Sequence, residues 1–187
     1  MNVGTIRAGD FQAAKMNMKS KELILIRHGK SSWDSGAASD FERPLNRRGM
    51  KDSRRLGRFI AERNWEPHWV ITSPALRAST TCDLVCEPLE VPSTRIWRDR
   101  RVYDASLQTL KNVIGETPDL PGRLFMVGHN PGLESLLLEL CPSAPVMDNG
   151  KLFTTANLAR IELSGRWDDL SEGSGKLLEL VRPSDLD

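Results

Sequence analysis

Two histidines, His28 and His129, each sit in a segment that pairs an apolar run with small residues. The first segment reads Leu23-Ile24-Leu25-Ile26-Arg27-His28-Gly29 and the second Leu124-Phe125-Met126-Val127-Gly128-His129-Asn130-Pro131-Gly132. Arg77 follows a third apolar segment, Trp69-Val70-Ile71-Thr72-Ser73-Pro74, and Asp104 follows Tyr103 further along. Two histidines, two arginines and a carboxylate form a set suited to phosphoryl transfer. Guanidinium groups offer planar, permanently charged forks to phosphate oxygens. A neutral imidazole nitrogen is a nucleophile near pH 7 and can carry a phosphoryl group covalently. Its other ring nitrogen must then donate, most simply to a backbone carbonyl. A second histidine, when protonated, adds positive charge at the equatorial oxygens. Asp104 is a candidate to protonate the leaving atom and then to activate water, a role that typically contributes about 10²–10⁴-fold. Such transfer depends on positioning and charge stabilisation, so a metal is not required. The third histidine, His68, lies at the entrance of an apolar segment rather than its exit. We read it as structural.

These residues converge only if the segments carrying them lie side by side. Leu23–Ile26 is a continuous apolar run of the kind found in a strand covered on both faces. Val70-Ile71 and Leu124–Val127 read the same way, and Thr94–Trp97 is a weaker third strand in chain order. Asn157–Leu163 alternates, as a half-exposed strand does, and Leu177–Val181 ends the series. Helices fall between them. Asn46 can cap a helix with Leu56, Phe59 and Ile60 on one face. Ala78, Cys82 and Val85 have helical spacing after Pro74. Ser106 can cap a helix with Leu107, Leu110 and Ile114 inward. Leu133, Leu136, Leu137 and Leu140 follow the i, i+3, i+4, i+7 pattern after Pro131. This alternation implies right-handed crossovers and a three-layer α/β/α domain with a mainly parallel sheet. In such folds ligands bind at the carboxyl ends of the strands, where all five candidate residues fall.

Composition narrows the class. The chain has 187 residues, 39% apolar and 27% charged, which suits one soluble domain with a proper core. Basic and acidic residues number 26 and 25, so the net charge of +1 excludes a dedicated nucleic-acid coat. Three cysteines cannot build a disulfide framework, and Cys82 and Cys86, four apart on a helix, read as buried apolar residues. No apolar run is long enough to cross a membrane. Residues 1–20 lack a signal-peptide core and are expected to form a mobile arm before a single domain over residues 21–187. The expectation is a cytoplasmic monomer with no nucleic-acid or membrane partner.

The quoted segments resemble the histidine phosphatase superfamily, whose fold is phosphoglycerate mutase-like. Leu23 to Asp34 is similar to its opening Arg-His-Gly strand. Arg43-Pro44-Leu45-Asn46, with Arg48-Gly49, resembles the segment that opens the next helix. Thr72 to Ala78 resembles the Ser-Pro-x-x-Arg-Ala segment, and Val127 to Pro131 the second-histidine segment. Together they span about residues 22–163. The small branch of SixA-type protein-phosphohistidine phosphatases is the nearest in pattern. The resemblance implies His28 as the phosphorylated nucleophile, with Arg27, Arg77 and His129 in the phosphate pocket and no cofactor or metal. It makes Arg43 a further substrate-binding residue, although Asp40 and Glu42 stand near enough in sequence to pair with it. Asp104 is the acid by position, the most variable element of such sites. Asp34 stands where larger relatives carry Asn, and a carboxylate there would oppose phosphate. Lys30 and Trp33 are candidates for the rim. Arg98-Asp99-Arg100-Arg101 reads as a solvated face.

Loop lengths leave no room for a large cap insertion: 27 positions separate Arg77 from Asp104 and 25 separate Asp104 from His129. An open site fits a phosphohistidine side chain on a partner protein. The alternatives are a phosphatase of small phosphomonoesters, such as a sugar or nucleotide phosphate, and a non-catalytic phosphate-binding module.

Overall fold

The computed structural model describes residues 20–120, 122–145 and 152–186. The proposed arm thus lies outside the described residues except for its last position. The elements run in the order β1 (Lys21–Arg27), α1 (Arg47–Glu62), β2 (Trp69–Thr72), α2 (Leu76–Cys86), β3 (Ile96–Arg98), α3 (Leu107–Gly115), β4 (Gly122–Gly128), α4 (Gly132–Leu140), β5 (Leu158–Leu163) and β6 (Gly175–Val181). They form one sheet in the order β3-β2-β4-β1-β5-β6.

The first four strands of that order are parallel, and β5 and β6 continue the sheet antiparallel. The mainly parallel α/β reading therefore holds for the half that carries the candidate site, and a hairpin completes the other edge. The sequence pattern explains the layers. Along β1, Leu23 and Leu25 point into one core with the α3 and α4 residues Leu110, Ile114, Leu133 and Leu137. Ile24 and Ile26 point into a second core with Leu56 and Ile60 of α1 and Cys82 and Val85 of α2. Alternate residues serve opposite faces, so a strand buried on both sides reads as unbroken apolar sequence.

The caps at Asn46 and Ser106 form as the sequence requires, accepting from the backbone N–H of Gly49 and Thr109. One strand differs from expectation. Thr94 and Arg95 belong to a short 3₁₀ turn over Ser93–Arg95, and β3 starts only at Ile96. β3 is an edge strand that pairs with β2 over three residues, so Pro92 and its turn set where pairing begins. Among the described residues, no helix is long and apolar enough to cross a membrane.

Candidate active site

Strand register brings the two histidines together. Arg27 is paired with Gly128 across β1 and β4, and both strands stop there. The next residue on each strand is a histidine, and the rings lie 5.0 Å apart, centroid to centroid. Both are buried. The backbone beyond His28 is held by α1 and α2. Gly29 donates to the Thr81 hydroxyl at 2.9 Å, and Thr81 donates to the Arg77 carbonyl at 2.7 Å. A Cβ on Gly29 would lie 2.8 Å from the Gly49 carbonyl oxygen, and one on Gly49 would lie 2.1 Å from that of Lys30. Only glycine lets the first turn of α1 pack directly on the strand end at these positions.

The protonation of His28 follows from its contacts. Its Nδ1 lies 2.7 Å from the Gly29 carbonyl oxygen, which can only accept, so Nδ1 carries the proton. Nε2 is then the lone-pair nitrogen. Arg77, in the first turn of α2, donates to it from Nε at 3.3 Å. Burial, with smaller contributions from His129, Arg77 and Arg27, pushes the pKa of His28 down to about 3. The ring is therefore neutral at physiological pH, as a nucleophile must be. His129 is also lowered, to about 4, by burial and by Arg77. Without an anion present it is neutral, so the extra positive charge envisaged for it requires a bound anion. Its Nε2 shares a 2.9 Å hydrogen bond with the Ser73 hydroxyl.

Arg27 donates from Nη1 to the Phe153 carbonyl at 2.8 Å. Its Nε is buried and has no partner, and neither has Nδ1 of His129. Buried polar groups are nearly always satisfied, so these two orphans, in the arginine-rich surroundings of His28, suit a place for an anion.

Asp40 supplies a carboxylate to the arginines on one side of the site. It lies on a single 3₁₀ turn, Asp40–Glu42, between β1 and α1. Arg77 donates from Nη2 to its carboxylate at 2.8 Å and from Nη1 to its carbonyl at 2.6 Å. The Tyr103 hydroxyl and Arg43 Nη1 donate to the same carboxylate at 2.9 and 2.6 Å. Burial alone would raise the pKa of this carboxyl, but the bonds from Tyr103, Arg77 and Arg43 hold it below the ordinary range. The Tyr103 ring stands edge-on to His129 at 5.4 Å.

Four of the sequence candidates, Arg27, His28, Arg77 and His129, thus gather at one end of the sheet. Arg43 joins them through Asp40; its remaining donors reach the Ser31 hydroxyl and the Ser32 carbonyl, and its guanidinium stacks 3.4 Å from the Trp33 ring centroid. Asp104 does not join them. Its side chain is exposed and makes no hydrogen bond or ion pair among the described residues. The backbone at Asp104 is in the left-handed region, with φ 53°. Its neighbour Tyr103 is the residue bonded to the cluster, through Asp40. Asp40, Ser73 and Tyr103 are the residues that sequence reasoning did not assign to the site. The Thr72-Ser73-Pro74 strand end and the Asp40-to-Arg43 spacing were their only signals. Asp34, Trp33 and Lys30 are exposed, as rim positions are. His68 lies at the far end of the sheet, where its Nδ1 accepts the Arg123 N–H at 2.9 Å. Among the described residues, no group of three or more His, Cys, Asp or Glu side chains could hold a metal.

Comparison with known proteins gives the same picture at the level of ancestry. The model of the histidine phosphatase superfamily (branch 1) matches residues 23–137. The phosphohistidine phosphatase SixA of Escherichia coli (strain K12) is 30% identical over 149 residues, covering 76% of this chain and 85% of that protein. An uncharacterized chloroplastic protein of Arabidopsis thaliana is 27% identical over 191 residues, covering 93% of this chain and 83% of that one. A solved structure of the protein histidine phosphatase SixA complexed with tungstate superposes with a TM-score of 0.71 at 26% identity. That match covers 89% of this chain and 99% of the other.

Proposed function

The chain belongs to the histidine phosphatase superfamily, and from that premise we propose that it removes phosphate from phosphohistidine on a partner protein through a covalent intermediate on His28. One observation carries the mechanism: His28 Nε2 is an unprotonated, buried nitrogen held beside Arg77, and Arg27 and His129 each bring a buried nitrogen without a partner. In the first step the Nε2 lone pair attacks phosphorus and the N–P bond of the substrate breaks. The departing imidazole leaves neutral when its other nitrogen is already protonated, so no strong protein acid is needed. The phosphorylated His28 ring keeps its Nδ1–H, and the Gly29 carbonyl stabilises the resulting positive charge. In the second step water attacks phosphorus, Nε2 recovers its electron pair, and dihydrogen phosphate is released. Transfer of this kind is loose and metaphosphate-like, so charge stabilisation by Arg27, Arg77 and His129 does most of the work. A phosphate-bound His129 is driven toward its protonated form by the dianion beside it.

The substrate class is supported by the 30% identity to a phosphohistidine phosphatase and by the open approach. The connections from β2 to β3 and from β3 to β4 hold only α2, α3 and short turns, and Trp33 stands 75% exposed at the rim. Such a mouth admits a side chain presented by a protein. The test is parallel turnover of phosphohistidine and of common phosphomonoesters, with EDTA present. Acid-labile label on His28 and higher kcat/KM for phosphohistidine are expected, with activity unchanged by EDTA. A sample that hydrolyses sugar phosphates but leaves phosphohistidine intact overturns the substrate. Phosphate binding without any labelling overturns catalysis in favour of a binding module.

A further inference from the structure

The N-terminal half of the molecule carries a second positively charged feature that the chemistry does not use. Helix α1 reads Arg47-Arg48-Gly49-Met50-Lys51-Asp52-Ser53-Arg54-Arg55-Leu56-Gly57-Arg58 at its start. Arg47, Lys51, Arg54 and Arg58 are all exposed. At 100° per residue these four fall within about 60° of the helix circumference and span about 16 Å along its axis. They make a straight stripe opposite the buried face of Gly49, Ser53, Leu56 and Ile60.

Three other surface arginines are neutralised by carboxylates, and Arg100 and Arg63 lie over aromatic rings. Arg98 is bonded to Asp83, Arg101 to Asp99 and Glu116, and Arg166 to Asp119 and Asp168. Among the described residues, the side chains of Arg47, Lys51, Arg54 and Arg58 make no hydrogen bond or ion pair. Four like charges at helical neighbour spacing repel one another. Folding gains nothing from that arrangement; an anionic partner would.

The stripe also starts at the catalytic mouth. Asn46, the cap of α1, donates its N–H to the Lys30 carbonyl at 2.9 Å, two residues beyond His28. The Lys30 side chain is exposed and unpaired as well, and Trp33, three residues on and stacked on Arg43, is an exposed aromatic of the type that most often anchors protein interfaces. A polyanion such as RNA fits less well, because a chain of net charge +1 carries nearly as many acidic groups elsewhere to repel it.

We propose that the Arg47–Lys51–Arg54–Arg58 stripe of α1 docks an acidic surface of the phosphorylated partner protein, with the phosphohistidine delivered past Lys30 and Trp33 to His28. This rests on the phosphohistidine reading of the site and names the surface chemistry of its substrate. The contribution is electrostatic steering, so it acts on KM and fades with salt.

The experiment uses the full chain and three substrates: free phosphohistidine, a phosphohistidine peptide with glutamate-rich flanks, and the same peptide with Gly-Ser flanks. Wild type is expected to prefer the acidic peptide in kcat/KM by at least about tenfold at low salt, and to lose the preference at high salt. The R47E/K51E/R54E/R58E variant is expected to lose it at any salt, with turnover of free phosphohistidine unchanged. The corresponding quadruple alanine variant, checked by thermal unfolding, covers the case in which reversed charge harms folding. Wild type that turns over phosphohistidine with no charge preference, or variants that retain it, overturn the docking surface alone. Wild type that turns over none of the three overturns the functional reading and the docking with it. Binding to anionic phospholipid vesicles without discrimination between the peptides assigns the stripe to a membrane and overturns the protein partner.

Discussion

The two ends of the parallel sheet hold the same residue types and use them in opposite ways. At the amino end, Glu22, Arg123, Arg160 and His68 are packed between strands. Glu22 accepts from Arg123 Nε at 2.7 Å and from Arg160 Nη2 and Nε at 2.6 and 3.1 Å. Arg123 also donates to the Asn64 and Glu66 carbonyls, and its backbone N–H binds His68. None of these four carries a buried polar atom without a partner. At the carboxyl end, the half-exposed carboxylate of Asp40 pairs with Arg77 and Arg43 but bonds neither Arg27 nor either histidine, and buried nitrogens of Arg27 and His129 are left without partners. Burial of charge is thus common to both. The amino end completes its own bonding within the fold, whereas the carboxyl end is complete only with an anion.

The strongest way to break this contrast is at His28. His28→Ala should lower turnover by at least about 10⁴-fold, about 5.5 kcal/mol of barrier, because the covalent path is lost. Single-turnover assays and loss of the acid-labile label check it. At the amino end Glu22→Ala should destabilise folding by about 3–5 kcal/mol, since it leaves two arginines buried without their anion. Denaturant melts should show that loss while kcat of the folded fraction stays at the wild-type value. An equal fall in kcat would erase the distinction between the two ends.

A pH titration of stability sharpens it further. His28 and His129 have folded pKa values depressed to about 3 and about 4, below the unfolded value near 6.5. Between pH 6.5 and those values the unfolded chain binds more protons, so stability falls as pH falls. His28→Gln should flatten this slope by up to one proton, about 1.4 kcal/mol per pH unit. Glu22 responds in a lower window. Burial opposes its ionisation, but the bonds and charges of Arg160 and Arg123 prevail and lower its pKa. Its contribution is present above the ordinary glutamate pKa and is lost as pH falls through the folded value, so Glu22→Gln should change only the acid limb.

The smallest effects concern the carboxylates. Asp40→Asn removes the internal competitor for Arg77 and should tighten inhibition by inorganic phosphate about tenfold, the scale of one charge-assisted bond. Asp104→Asn should change kcat/KM less than about twofold, the range of an exposed side chain without partners. A large effect at Asp104 with none at Asp40 would reverse the assignment made from their contacts.

Much of this was legible in the residues. Leu23–Ile26 and Leu124–Val127 announced doubly covered strands because burial on both faces leaves no polar position. The histidine and arginine positions followed, since residues just past buried strands must lie at the sheet's carboxyl edge. The carboxylate was not legible. Asp40 and Tyr103 are 63 positions apart, and Asp40 meets Arg77 from a 3₁₀ turn, which has no periodic signature. Sequence alone therefore determined the fold class, the family resemblance and the four strand-end residues, because these depend on local pattern and chain order. The tertiary structure decided the tautomer of His28, the neutral state of both site histidines, the role of Asp40 and the contrast between satisfied and orphaned charge. Those properties come from partners distant in sequence and from burial, which exist only once the sheet is assembled.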